Sequence, residues 1–367
     1  MTEFAFSYTF EVQPGLTTAV FQGSYAAHAI NDLGQIVGTI ALRGPSSGFL
    51  YDTASNQVRT DVVPGTPFST LGGINDLGEL AGSVFPLGGE PKGIVISHGT
   101  PQVFTYPDSQ FTRALGINNW GQIVGQYSDA TGLHGFVGRP DHLHSIDVPG
   151  GSQTEADAIN DWGQIVGFYT DATGNSHGFL ETPQGQFNTI DVPAGSETTV
   201  TGINDWGQMV GSYADSSGQR HGFVLTAGHF QTIDLPDSSR SNAVGINNLG
   251  QIVGTSAATV PAGPITVSGT QVWVASPHFI YQPDSDSAPL ASALAGSASL
   301  PSAQDISSLL RSATGSGSEH LMPALAPLVD LASATAGSVH LSQENSPASA
   351  QVWADLSSHN DWSLISR

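Results

Sequence analysis

The sequence predicts an all-β fold, a six-bladed β-propeller of four-stranded blades closed by the N-terminal strand. Three observations predict it. Six closely similar segments recur along the chain, their spacing matches the length of a four-stranded blade, and a strand missing from the last segment is present near the N-terminus.

The segments are AINDLGQIVG from Ala29, GINDLGELAG from Gly73, GINNWGQIVG from Gly116, AINDWGQIVG from Ala158, GINDWGQMVG from Gly202 and GINNLGQIVG from Gly245. Their asparagines, Asn31, Asn75, Asn118, Asn160, Asn204 and Asn247, lie 44, 43, 42, 44 and 43 residues apart. Each unit reads as four strands. In the fourth unit the first strand ends at Asp157–Asn160 and the turn Asn-Asp-x-Gly follows, its glycine supplying a positive φ. Gln164–Gly167 is the second strand and Thr170–Ser176 a looser loop. The third strand opens with His177-Gly178-Phe179, and a turn containing Gly185 leads to the fourth, Phe187–Pro193. Glycine every few residues with β-branched residues between excludes helices, and a β-trefoil would use three such units.

The ends close the ring. Tyr8–Pro14 matches the fourth strand of a unit and precedes the first Ile-Asn-Asp segment. The last unit has three strands, with its third expected at Pro277–Tyr281 after an insertion near 257–272. The N-terminal strand is therefore expected to complete the last blade and remove the exposed sheet edges. Residues 1–282 form the propeller in this reading. Residues 283–367 are an Ala/Ser/Leu-rich tail in which Asp305–Ala313 and Leu321–Ala334 suggest short helices broken by proline, in a segment of low-complexity, disorder-prone composition. His359–Trp362 echoes the repeat turn without its following Gly-Gln-Ile-Val.

Composition narrows the partners. Nine Lys and Arg against 31 Asp and Glu give a formal charge of -22. Such a chain repels a phosphate backbone and an anionic membrane surface, so nucleic acid is not an expected partner. Only 11% of residues are charged, so Ser, Thr, Asn, Gln and Gly cover the surface. There is no Cys, hence no disulfide or thiolate chemistry. Met1–Phe10 carries Glu3 and no basic segment, so no N-terminal signal peptide is visible. No apolar run approaches the roughly 18 residues of a membrane span.

The units resemble the bacterial HAF-family extracellular repeat. The residues that carry the likeness are Gly-Ile-Asn-Asp-x-Gly-Gln-Ile-Val-Gly, then His-Gly-Phe, then Ile-Asp-x-Pro, cleanest at 116–236 and extending over 1–282. The first two units depart from it, with Ser47-Gly48-Phe49 and Lys92-Gly93-Ile94 in place of His-Gly-Phe. The resemblance implies an exported bacterial protein, secreted or at the cell surface. It implies no reaction and assigns no catalytic residue.

Four sets of residues repeat with chemistry attached. Asp129, Asp171 and Asp215 lie in the loop between the second and third strands, on the same face as Asp147, Asp191 and Asp234 after the fourth. Carboxylates from both would suit Ca²⁺, the one cofactor the sequence suggests. The competing reading is that each loop Asp caps its own turn. Trp120, Trp162 and Trp206 occupy the tips of three consecutive turns where Leu33, Leu77 and Leu249 stand in the other units. An indole there can stack on a sugar, and its repetition would raise avidity; the alternative is packing between blades. His134, His177, His221 and His278 sit too far from the axis to share a metal, so rings packed between blades and bonded to backbone are expected. His142 and His144 share one face of a strand. The six asparagines repeat one residue in one role, which points to backbone satisfaction at the hairpin rather than catalysis.

No catalytic motif of the nucleophile-elbow, zinc-protease or P-loop kind occurs. The functional expectation is therefore an exported, non-catalytic binding or adhesion module for carbohydrate or another surface polymer. The alternative is a propeller hydrolase or lyase acting on a polysaccharide, with its site at one end of the channel. The irregular stretches 40–47, 84–92 and 255–277 mark where the repeat fails.

Overall fold

The computed structural model describes residues 4–12, 18–19, 24–41, 46–60, 62–63, 66, 68–235, 238, 240–262 and 265–281. By internal contacts the chain divides into Met1–Gln282 and Pro283–Arg367. The helices and disorder expected for 283–367 lie outside the described residues.

The described residues contain strands and no helix, arranged as six antiparallel sheets. Blade 1 comprises Ser24–Ile30, Gln35–Ala41, Ser46–Asp52 and Gln57–Arg59. Blade 2 comprises Ser69–Ile74, Leu80–Val84, Lys92–Ser97 and Thr100–Phe104. Blade 3 runs through Phe111–Ile117, Ile123–Ser128, Leu133–Arg139 and His142–Ile146. Blade 4 runs through Gln153–Ile159, Ile165–Thr170, Ser176–Glu181 and Phe187–Ile190. Blade 5 runs through Ser196–Ile203, Met209–Ala214, Arg220–Thr226 and His229–Ile233. In every blade the first strand is innermost and lines a central channel.

Blade 6 closes the ring as expected. Ser241–Ile246, Ile252–Ala262 and Ile265–Tyr281 are joined by Phe4–Val12, which pairs antiparallel from Phe4 opposite Tyr281 to Val12 opposite Trp273. The interior of this blade corrects the sequence reading. Residues 252–262 and 265–281 form one long hairpin, so the third strand starts at Ile265 rather than Pro277. Trp273 pairs with Gly254, as Phe136 pairs with Gly125 and Phe179 with Gly167. Trp273 is thus the counterpart of the repeated phenylalanine, and His278 does not correspond to His134, His177 and His221. Pro277-His278-Phe279 resembles His-Gly-Phe in sequence, whereas the hairpin register selects Trp273 as the residue that fills the core.

The apolar residues explain the packing. The second strands are buried on both faces, Leu80–Val84 throughout, because each blade is covered by a neighbour on either side. Hence these strands read as near-continuous apolar runs. Six clusters fill the interfaces between successive blades. One joins Val124, Ile146 and Val148 of blade 3 to Ala156, Ile159, Ile165 and Phe179 of blade 4. Another joins Val253, Val272 and Val274 of blade 6 to Ala27, Ile36 and Phe49 of blade 1. Phe49, Phe136, Phe179, Phe223 and Trp273 are fully buried.

Candidate functional site

The turns after the innermost strands surround one mouth of the channel. Each is built by its asparagine. In blade 4 the Asn160 Oδ1 accepts the backbone N–H of Trp162 at 3.1 Å and of Gln164 at 2.9 Å. Its Nδ2 donates to Gln164 Oε1 at 2.8 Å and to the Asn204 carbonyl of the next blade at 3.1 Å. The glycine of the turn, Gly163, has φ of 75° and donates to the Asn160 carbonyl, a geometry that side chains disfavour. The same link runs from Asn31 to Asn75, Asn118, Asn160, Asn204 and Asn247, and from Asn247 back to Asn31. The expected role at the hairpin holds, and the structure adds a closed ring between blades.

A second ring lies one residue further. Asp32, Asp76, Asn119, Asp161, Asp205 and Asn248 each donate a backbone N–H to the side-chain oxygen of the next member at 2.7–2.8 Å. Asn119 Nδ2 also bridges Asp76 and Asp161, at 2.9 Å each, and Asn248 Nδ2 reaches Asp205 at 2.8 Å. Four half-buried carboxylates and two amides thus border a cavity of ≈70 Å³ on the axis. Burial, reinforced by the neighbouring Asp76 carboxylate, pushes Asp32 up to about 6. Burial and the Asp161 carboxylate also raise Asp205. Sequence reading took these aspartates as turn residues. Their convergence from four different blades leaves no local signal.

Around this mouth stand the indoles. Trp120, Trp162 and Trp206 are 63%, 69% and 42% exposed, so they are not packed between blades. They are nevertheless tethered. Each Nε1–H donates to the backbone carbonyl of the next turn, Asp161 at 3.0 Å, Asp205 at 3.0 Å and Asn248 at 2.9 Å. Leu33 and Leu77 are likewise exposed at the equivalent tips. The result is an arc of three fixed aromatic surfaces on blades 3 to 5, beside the carboxylate ring.

Beneath the mouth, a register shift in each inner strand places an extra residue on the channel wall: His28, Gly72, Leu115, Asp157, Thr201 and Val244. They line a cavity of ≈110 Å³, and here the six repeats use six different residues. His28 bonds the Leu71 carbonyl through Nδ1 at 2.7 Å, and burial holds its pKa below the usual imidazole range. Burial, followed by the Glu155 carboxyl, holds Asp157 well above the carboxylate range, and its Oδ2 is buried with no hydrogen-bond partner among the described residues. The variability three residues before each asparagine was the sequence signal for this position.

On the opposite face, the loop aspartates meet the histidines. His134 Nδ1 lies 2.6 Å from Asp147 and its Nε2 3.3 Å from Asp129. His177 joins Asp191 at 3.0 Å and Asp171 at 3.4 Å; His221 joins Asp234 at 2.7 Å and Asp215 at 3.4 Å. Each ring stacks or tilts against Tyr127, Tyr169 or Tyr213 with centroids 5.2–5.4 Å apart. The expectation of imidazoles bonded to backbone is corrected, because both ring nitrogens face carboxylates. The turn-capping role of the aspartates is present: Asp129 accepts from Thr131, Asp171 from Thr173 and Asn175, and Asp215 from Ser217 and Gln219. These bonds depress all three carboxyls, Asp215 to about 2, its largest contribution coming from the Ser217 hydroxyl. Among the described residues no group of three or more His, Asp or Glu is arranged to hold a metal ion. His142 and His144 pack edge to face at 4.6 Å.

These clusters predict a pH dependence. Burial of the His177 ring lowers its pKa, but the bonds to Asp191 and Asp171 outweigh this and raise it; in His221 the Asp234 bond dominates in the same sense. A raised histidine stabilises the fold fully below about 6.5 and loses that contribution as pH climbs through its folded value. Asp32, favouring its protonated form up to about 6, acts in the same direction. The unfolding midpoint in urea is therefore expected to fall between about pH 5 and pH 8. In the His177→Gln/His221→Gln variant that slope flattens, and an unchanged slope would count against the clusters.

Sequence reading also missed a buried hydroxyl that fastens the connections from blade 3 to 4, 4 to 5 and 5 to 6. Thr154 Oγ1 accepts the Val148 N–H at 3.1 Å, Thr198 the Val192 N–H at 3.2 Å and Ser241 the Leu235 N–H at 3.0 Å. The constant spacing of six residues was the available signal.

No family model and no curated protein matches the chain. Solved structures do. The chain is similar to TolB from Acinetobacter baumannii, with TM-score 0.46 and 12% identity over 57% of this chain and 54% of that one, so it spans about half of that protein's length. It is similar to the SapL1 lectin, solved with alpha methyl fucoside, with TM-score 0.43 and 13% identity over 66% of this chain and 90% of the lectin. It is also similar to the fungal lectin of Aleuria aurantia, a six-bladed propeller that recognises fucose, with TM-score 0.40 and 10% identity over 73% of this chain and 99% of that one. Likenesses at this level concern the fold alone.

Proposed function

We propose that this protein is an exported, non-catalytic binding module that takes carbohydrate on the turn face around the channel mouth. The arc of Trp120, Trp162 and Trp206 carries this reading. Exposed indoles offer flat apolar surfaces to the C–H faces of a sugar. Their Nε1 tethers to the next blade fix ring orientation before a ligand arrives, which reduces the ordering cost of binding. Three equivalent positions suit a polymer that presents the same face repeatedly. The low-charge, acidic composition and the extracellular-repeat resemblance support export to the surface or the medium. Fractionation of the native cells tests that part, and recovery from the cytosol alone would overturn it.

A glycan array with the wild type and the Trp120→Ala/Trp162→Ala/Trp206→Ala variant tests binding. The wild type is expected to bind and the variant to lose the signal while keeping its β-sheet circular dichroism. Absence of any wild-type signal would remove the carbohydrate reading. Trp162→Phe, which keeps an aromatic face and loses the tether, is expected to weaken binding less than Trp162→Ala.

A further inference from the structure

We propose, building on the carbohydrate reading above, that the polymer bound on this face is cationic: an amino sugar chain whose ammonium group seats in the channel mouth while its ring stacks on a tethered indole. Three separate features of the site lead there. The indoles stand directly beside the axial ring, since the carbonyls that hold Trp120 and Trp162 belong to Asp161 and Asp205 themselves. A sugar stacked on either therefore lies next to a carboxylate, and an indole face also attracts a cation.

The axial cavity of ≈70 Å³ is bordered by Asp32, Asp76, Asp161 and Asp205, with the amides of Asn119 and Asn248 and no cationic side chain in its lining. It has room for an ammonium group. The Asn119 amide separates Asp76 from Asp161, and the Asn248 amide donates to Asp205, but no amide stands between Asp32 and Asp76 or between Asp161 and Asp205. Those two adjacent carboxylate pairs are where a cation gains most. Below the ring, on the inner strand that leads to Asn160, Asp157 adds a further carboxyl to the channel wall; it shares a hydrogen bond with the Glu155 carboxyl, and its buried Oδ2 has no partner among the described residues. The burial and mutual repulsion that raise Asp32 and Asp205 are relieved by a positive charge at the mouth.

No arginine lines the mouth or the channel below it: the charge of Arg113 acts on Glu155, beside Asp157, and Arg139 lies at the turn of blade 3. Arg139 donates to the Trp120 carbonyl, and both it and Glu79 approach Gly121. A uronate or sialylated chain would meet four carboxylates and is disfavoured. A neutral chain would use the indoles and leave the ring unused.

The test compares three probes: β-1,4-linked glucosamine oligomers with free amines, the same oligomers N-acetylated, and oligouronates. Calorimetry is run at about pH 6, where the amines are protonated. The amine oligomers are expected to bind at least about tenfold more tightly than the acetylated ones, to weaken with added salt and to release protons on binding. The Asp32→Asn/Asp76→Asn variant is expected to bring the two affinities to within about threefold. It should fold, because asparagine fills the same ring position in blades 3 and 6 and its Oδ1 accepts the same backbone N–H. The triple Trp→Ala variant is expected to bind neither. Acetylated oligomers or uronates that bind as tightly as the amine oligomers would overturn this inference and leave the carbohydrate reading standing. Failure of all sugars in a broad array would overturn the reading itself.

Discussion

Asn160→Ala is expected to lower the unfolding free energy by about 3–5 kcal/mol, because it orphans several backbone groups at once and each buried group left unpaired costs about 1–3 kcal/mol. The Trp162 and Gln164 N–H groups lose their acceptor and the Asn204 carbonyl loses a donor. The residue is buried, so water does not readily replace these bonds. Asn160→Asp keeps the acceptor but turns a carboxylate toward the Asn204 carbonyl and Gln164 Oε1. Its cost is therefore expected to persist at neutral pH and to shrink in acid. Urea unfolding followed by tryptophan fluorescence measures both.

The ring adds a sharper expectation. Asn247→Ala should cost as much as Asn160→Ala, although Asn247 bonds a residue 216 positions away. In an open array the terminal unit would have no following neighbour to hold. A loss below about 1 kcal/mol at either position would mean that the turns hold without their asparagines.

Gly167→Ala is expected to cost about 3 kcal/mol or more, at or beyond the upper end of ordinary overpacking. A Cβ at this position would overlap the Glu155 carbonyl oxygen and come within 3.0 Å of Phe179 Cε1. Neither can move aside, since the first is backbone of the inner strand and the second is a fully buried ring. Gly174, in the loop beyond the second strand, is the control. It has φ of 91° and nothing within 4 Å of an added Cβ, so Gly174→Ala meets only backbone strain of about 1–2 kcal/mol. In thermal melts the Gly167→Ala midpoint is expected to drop by roughly 6–12 °C, with the Gly174→Ala drop clearly smaller. Equal drops would show that the close approach at Gly167 is not what the repeat preserves.

The candidate site was only partly legible in the residues. The Trp tips and the loop aspartates stood out because they recur at a fixed place in three consecutive units. Their partners did not. Asp147, Asp191 and Asp234 follow the fourth strands, and only the sheet pairing shows that the imidazoles of His134, His177 and His221 bridge them to the loop carboxylates. The misplaced third strand of blade 6 has a related cause. Pro277-His278-Phe279 looks like the repeat, but the pairing of Gly254 with Trp273 puts the large buried side chain six residues earlier.

What the sequence alone determined is whatever local chemistry repeats: the six units, the Asn-Asp-x-Gly turn with its positive φ, the four-strand rhythm and the need for the N-terminal strand to finish the last blade. Hydrogen bonding within four residues and period-two burial act over distances that sequence spacing records. The tertiary structure alone decided what faces the axis. Asp32, Asp76, Asp161 and Asp205 become a carboxylate ring above the Asp157 acid of the channel wall, because ring closure brings together residues 42–216 positions apart. Charges that are separate along the chain then share one small, poorly solvated volume, and that shared volume, rather than any single repeat, sets the electrostatics of the mouth.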